Sequence, residues 1–225
     1  MNTKSRLLFL SILFSVLSIN SIIGQDDEEQ SSDDQKEFQK LDFYNFRGTN
    51  AIDVGIGGST LFGDYEDASI GFYYRAGYKR ALSPSIFAGL TANGFNFSYN
   101  DIDQSLLSVD FNLEYLFIPT ERFTPLIYGG LGMSMDSETD VSAMKAQVGF
   151  GFEALFVEKL GFKLFYEYNY GFDDDIEVLV FDGNNDKFMR FGIGVNYYFG
   201  GANQKEKIQK GMKTIKNSNP IIPDN

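Results

Sequence analysis

The chain has 225 residues, a net charge of −12, 23 phenylalanines and 13 tyrosines, and neither cysteine, histidine nor tryptophan. Without cysteine there is no disulfide, thiolate metal site, thiol nucleophile or acylated lipoprotein cysteine; without histidine the usual general base and metal ligand are missing. The acid excess argues against nucleic acid as a partner, because a phosphate backbone rewards clustered lysine and arginine.

Residues 1–24 have the form of a secretory signal peptide. Lys4 and Arg6 precede the apolar run Leu7 to Leu17. A core of about 11 residues is too short to span a bilayer, which takes about 20. Cleavage is expected between Gly24 and Gln25, and losing Lys4 and Arg6 takes the net charge from −12 to −14. Residues 25–50 are an acidic extension whose first half is too polar for a core and is expected to be disordered or extended. Phe38, Phe43, Tyr44 and Phe46 in its second half suggest a short amphipathic lead-in that docks on something.

No later segment carries about 20 continuous apolar residues, so no transmembrane helix is expected. Period-two alternation recurs instead, the mark of strands with two unlike faces. It is clearest in LSVDFNLEYLF, where Leu107, Val109, Phe111, Leu113, Tyr115 and Phe117 oppose Ser108, Asp110, Asn112 and Glu114. Eight such runs are predicted, at about 51–62, 69–81, 86–98, 106–118, 125–135, 143–156, 161–172 and 188–199. The third and fifth have ambiguous faces, and a bulge near Asn93 or Gly94 is expected in the third.

The connections 82–85, 119–124 and 157–160 are tight, whereas 63–68, 99–105, 136–142 and 173–187 are longer and polar. Short turns at one end, long loops at the other and an even strand number predict an all-β, eight-stranded, antiparallel up-and-down transmembrane barrel over residues 51–200, with tight turns and both termini periplasmic. A lipocalin-type soluble barrel is the alternative, with its apolar face inward. The bulky, continuous apolar face with aromatics near strand ends favours outer-membrane lipid outside, and the small or charged face suits a narrow interior.

The phase places Asp53, Asp110, Glu114, Glu153 and Glu167 inside with Arg75, Lys79, Lys145, Lys163 and Arg190. Five acids against five bases predict interlocking salt bridges and a closed plug, since unpaired charge in a low-dielectric wall is costly. A narrow gated channel is the alternative. Glycine clusters such as GIGG at 55–58 precede no helix and read as strand glycines rather than phosphate loops. The long connections hold 14 acids against Lys187 alone. They read as solvated loops; DDD at 173–175 and DGNND at 182–186 offer oxygen ligands for calcium without the full twelve-residue pattern. No cofactor and no enzymatic activity are expected.

Over residues 51–199 the chain resembles the small eight-stranded outer-membrane proteins of the OmpA/OmpX-like superfamily of Gram-negative bacteria. VNYYF, with Tyr197 and Phe199, looks like the C-terminal strand signal read by the barrel-assembly machinery. YRAGYKRALSP (74–84), SVDFNLEYLFIPTERFTP (108–125), GFKLFYEYNY (161–170) and VNYYFGG (195–201) resemble barrel segments accompanying curli-type secretion proteins. The barrel enzymes of the outer membrane that such a resemblance brings to mind use histidine, which is missing here. The resemblance implies location in the outer membrane and a folding route more than an activity, and leaves two readings, a structural or interaction protein of the envelope or alternatively an accessory of a curli-type secretion or transport system. Residues 201–225 form a basic periplasmic tail with Lys205, Lys207, Lys210, Lys213 and Lys216. It is expected to be a flexible solvated segment, or else a handle for a periplasmic or secretion partner.

Overall fold

A computed structural model describes residues 29–61, 69–99, 102–136, 142–172 and 187–211. The chain divides into two compact units, residues 1–35 and residues 36–225. Helix α1 (Glu29–Phe46) leads into strands β1 (Asn50–Leu61), β2 (Gly71–Ala81), β3 (Ile86–Tyr99), β4 (Ile102–Leu116), β5 (Phe123–Asp136), β6 (Ser142–Val157), β7 (Leu160–Gly171) and β8 (Lys187–Phe199), and then helix α2 (Ala202–Gly211). The strands pair in sequence order, all antiparallel, and β8 returns to β1 to close the barrel.

Closure depends on small residues at the seam. Val54 pairs with Val195 and Gly57 with Gly192. A Cβ added to Gly57 would lie 1.9 Å from the Phe191 carbonyl oxygen, and one on Gly192 would lie 2.2 Å from that of Ile56. No side chain fits where these two strands coil together, which is the circumstance that selects glycine inside a strand.

Alternation sorts the side chains. Leu107, Val109, Phe111, Leu113, Tyr115 and Phe117 are exposed on the outer wall, while Ser108, Asp110 and Glu114 between them are buried. The two strands of ambiguous phase are resolved in the same way. In β3, Phe87, Thr91, Asn93, Phe95 and Phe97 point inward; in β5, Thr124, Leu126, Tyr128 and Ser134 do.

Four expectations are corrected. The bulge near Asn93 and Gly94 does not form: Arg75 pairs with Asn93 and Tyr74 with Gly94 in unbroken register. Gly94 instead makes room for an aromatic ring, since a Cβ there would lie 2.3 Å from Tyr74 Cζ. The register shift falls between Leu155 and Val157. The connection expected over 99–105 is mostly strand, because Tyr99 pairs with Ile102 and β4 begins four residues early. The first half of the extension, expected to be disordered or extended, is helical from Glu29. Finally, the tail starts as a helix.

The C-terminal end of α1 meets the pole of the barrel that carries the tight turns, where the Lys159 N–H donates to the Phe46 carbonyl. Gly200 and Gly201 adopt φ of +74° and +92°, and a Cβ on Gly201 would lie 2.7 Å from Tyr44 Cδ1. The chain therefore bends sharply beneath α1 before α2 begins. Among the described residues no helix is long and apolar enough to cross a membrane, which leaves open crossing by strands.

Candidate functional site: a capped and charge-filled interior

The barrel interior is a stack of charged layers separated by aromatic rings. All ten charged residues assigned inward from the sequence are buried, Lys145, Glu153 and Arg190 at 0% exposure. The inner face is not merely small or charged, however. Tyr73, Phe87, Phe95, Phe97, Tyr128, Phe165, Phe188 and Tyr198 are buried there too.

The layer nearest the tight turns is built around Glu153. Arg47, from the loop between α1 and β1, donates to Glu153 Oε1 through Nε at 3.0 Å and Nη2 at 2.9 Å. Its Nη1 reaches the carbonyls of Pro119 at 2.6 Å and Glu121 at 2.9 Å. Asn196 Nδ2 and the Tyr198 hydroxyl donate to the other Glu153 oxygen. Phe43 of α1 is buried beside them, its ring 6.1 Å from that of Phe87. This segment closes the turn end.

Lys159 fastens the cap from outside. It occupies the tight β6–β7 turn at φ +70°, a left-handed conformation that costs a non-glycine residue roughly 1–2 kcal/mol. Its Nζ donates to the carbonyls of Tyr44 and Arg47, both at 2.7 Å, so an ammonium covers the negative end of α1. Burial pushes this lysine below its ordinary pKa, Lys205 adds to the shift, and Glu158 opposes it.

The middle layer joins Asp53 and Glu114 to three cations. Arg75 lies 2.7 Å from Asp53, and Lys79 and Lys163 lie 2.6 and 2.5 Å from Glu114. The same two lysines stand 3.5 and 3.6 Å from Asp53. Above it, Arg75 stacks 4.1 Å over Phe165, which packs edge-on against Tyr73 at 5.9 Å.

The next layer centres on Arg190, which pairs with Glu167 and, at 2.7 Å, with Asp110. Lys145 bonds Asp110 at 2.9 Å and Asn169 at 2.7 Å, and Asn93 donates to Asp110 at 3.0 Å. Phe95, Phe97 and Phe188 then close the loop end, with Phe95 stacked on Phe188 at 5.2 Å. Arg190 lies 5.3 Å from the Phe95 ring and Lys145 lies 5.8 Å from Phe188, close enough for cation–π attraction. Interlocked charge and rings thus fill the bore between two closed ends.

Outside the bore, Tyr197 and Phe199 face outward, their rings stacked at 6.4 Å. On α2, Lys207 and Lys210 are exposed and Lys205 is partly covered; Lys210 pairs with Glu206 at 2.6 Å. Lys213 and Lys216 lie outside the described residues, as do twelve of the fourteen acids assigned to the long connections and both candidate calcium motifs. Asp103 belongs to β4 and Asp136 ends β5. Among the described residues no group of three or more carboxylates is placed to hold a metal ion.

Arg47 is the buried charged residue that sequence reasoning missed among the described residues, and it left a signal. Inward positions of β1 are Ala51 and Asp53, and the same odd phase continued backward through Thr49 reaches Arg47. Gly48 allows the approach, since a Cβ there would lie 2.3 Å from the Phe199 carbonyl oxygen.

A closed up-and-down barrel of eight strands, apolar outside and charged within, has the architecture of the small outer-membrane barrels. Among solved structures it is similar to Neisserial surface protein A at 13% identity and a TM-score of 0.57, over 68% of this chain and 98% of that one. OprG from Pseudomonas aeruginosa aligns at 11% identity and a TM-score of 0.45, over 69% and 99% of the two chains. The N-terminal β-barrel domain of Pseudomonas aeruginosa OprF aligns at 15% and 0.44, over 67% and 99%. No protein-family model and no curated protein sequence matches the chain. The likeness is one of fold, and it lends no support to the resemblance to curli-type barrel segments.

Proposed function

We propose that the protein is a closed β-barrel of the Gram-negative outer membrane, acting as a structural and interaction protein rather than as an enzyme or a pore. The observation that carries this reading is the sealed bore: buried ion pairs interlock across it, Arg47 and Phe43 close one end and Phe95, Phe97 and Phe188 close the other. Lipid is the natural solvent for an outer wall on which Ile52, Val54, Ile56, Phe111, Leu113, Phe150 and Leu164 are exposed. A closed sheet leaves no unpaired edge in hydrocarbon. The tight turns, the start of β1 and the end of β8 at one pole suit a periplasmic pole, and outward Tyr197 and Phe199 suit recognition of the closing strand by the barrel-assembly machinery.

An ordered helix beyond the closing strand supports a partner role for the tail, of which service to a secretion system is one form. Fractionation tests the placement. The protein should sediment with outer membranes and, left unboiled, migrate differently on a gel from the boiled form. A soluble protein without that heat-dependent shift would refute the proposal.

A further inference from the structure

Six cationic and five carboxylate side chains are buried among the described residues. The surplus is local. Arg47 answers Glu153, and Lys145 and Arg190 answer Asp110 and Glu167. The middle layer is left with Arg75, Lys79 and Lys163 against Asp53 and Glu114, one positive charge in excess. Within a dry wall an uncompensated charge is expensive.

A second observation falls in the same layer. The Arg75 Nε–H and the Tyr128 hydroxyl are buried without a hydrogen-bond partner. The Tyr128 ring is 5.0 Å from Nζ of Lys163, the lysine that pairs with Glu114. Asp53 Oδ1 also lacks a well-angled hydrogen bond but stands 2.7 Å from Arg75 Nη2, so its charge is answered. Unpartnered Asn196 Oδ1 belongs to the Glu153 layer, and Asp110 Oδ1 to the Arg190 layer. The groups that want a partner at the middle level are donors, where the charge in excess is positive.

We infer that the middle layer binds one small monovalent anion of halide size, held by Arg75 Nε and the Tyr128 hydroxyl and balanced by Lys79 and Lys163. Water would serve the donors and leave the surplus charge; an anion answers both. Beside Gly55 the space is narrow, an added Cβ standing 3.3 Å from Arg75 Nε, 3.3 Å from Phe165 Cε1 and 3.1 Å from the Ile193 carbonyl oxygen, which leaves no room for a larger oxyanion. The inference rests on the closed interior proposed above, because a hydrated pore would screen the surplus.

The protein is refolded from urea into detergent micelles in sodium chloride, bromide or isethionate at one ionic strength. The unfolding temperature is then read from the heat-dependent gel shift. Halide is expected to raise it saturably, by on the order of several degrees over bulky isethionate, as a ligand selective for the folded state does. Crystals grown from bromide should show an anomalous peak within hydrogen-bonding reach of Arg75 Nε. Lys79→Met brings the layer to two charges against two and should abolish the halide dependence while the barrel still folds. Tyr128→Phe keeps the charge, removes one donor and should weaken it severalfold, which serves if Lys79→Met does not fold. Equal unfolding temperatures in the three salts, halide dependence undiminished in the variants that fold, or no bromide peak would each overturn the inference. Conductance of the same refolded protein keeps the two readings apart: unit currents sink the closed barrel, whereas a silent barrel indifferent to halide sinks only the anion.

Discussion

Replacing Arg47 with methionine keeps the apolar stem and removes the charge that answers Glu153. The substitution deletes two hydrogen bonds to Glu153 and two to the Pro119 and Glu121 carbonyls, all between 2.6 and 3.0 Å. Removing one partner of a buried pair costs about 3–5 kcal/mol, because the other charge stays buried. Here Asn196 and Tyr198 still donate to Glu153, which places the expected loss near the lower end of that range, about 3 kcal/mol. Glu153→Gln alone should cost a similar amount by stranding Arg47. Together the two changes should cost about 2 kcal/mol less than their sum, since residues in one network couple. Urea unfolding of the barrel refolded in micelles measures each corner of the cycle. Limited proteolysis should also cut near Arg47 faster in Arg47→Met than in the wild type. Losses of less than about 1 kcal/mol that simply add would refute the reasoning, for Arg47 would then not be holding the cap.

Three further outcomes follow from the geometry. Gly57→Ala should block closure of β1 on β8 and abolish the folded gel band, while Gly129→Ala should fold normally because its nearest neighbour atom would be 3.4 Å away. Gly149→Ala, whose Cβ would lie 2.3 Å from Tyr128 Cζ in the packed bore, should fold but lose about 1–3 kcal/mol by urea titration. Lys159 has a lowered folded pKa, so the unfolded chain holds more protons as pH rises toward the ordinary 10.5, and its contribution to stability grows with pH over that interval. Urea midpoints of the wild type should therefore rise relative to those of Lys159→Gln across the interval; a parallel response would count against it.

Strands were legible because one physical rule, apolar to lipid and polar to the bore, governs every second residue. LSVDFNLEYLF breaks it only at Leu116, which is buried on the inner face, and its phase places Asp110 and Glu114 inside, where they meet buried cations. The rule fails to identify partners. That Asp110 meets Arg190 across the bore while Glu114 meets Lys79 and Lys163 depends on strand register and tilt, which no local pattern carries. Inward Phe95 of β3 was hard to assign because an interior aromatic looks like a lipid-facing one until the phase is settled. The polar run 99–105 reads as a loop by composition, yet the hairpin simply continues pairing above the barrel wall. Arg47 escaped notice because it precedes the first strand, and only backward extension of the β1 phase turns it inward.

Current through the purified, refolded barrel in a planar bilayer tests the sealed bore most directly. The structure predicts a silent membrane, with no stable unit conductance in the wild type at any applied voltage the bilayer survives. Large, discrete and long-lived unit currents would contradict it.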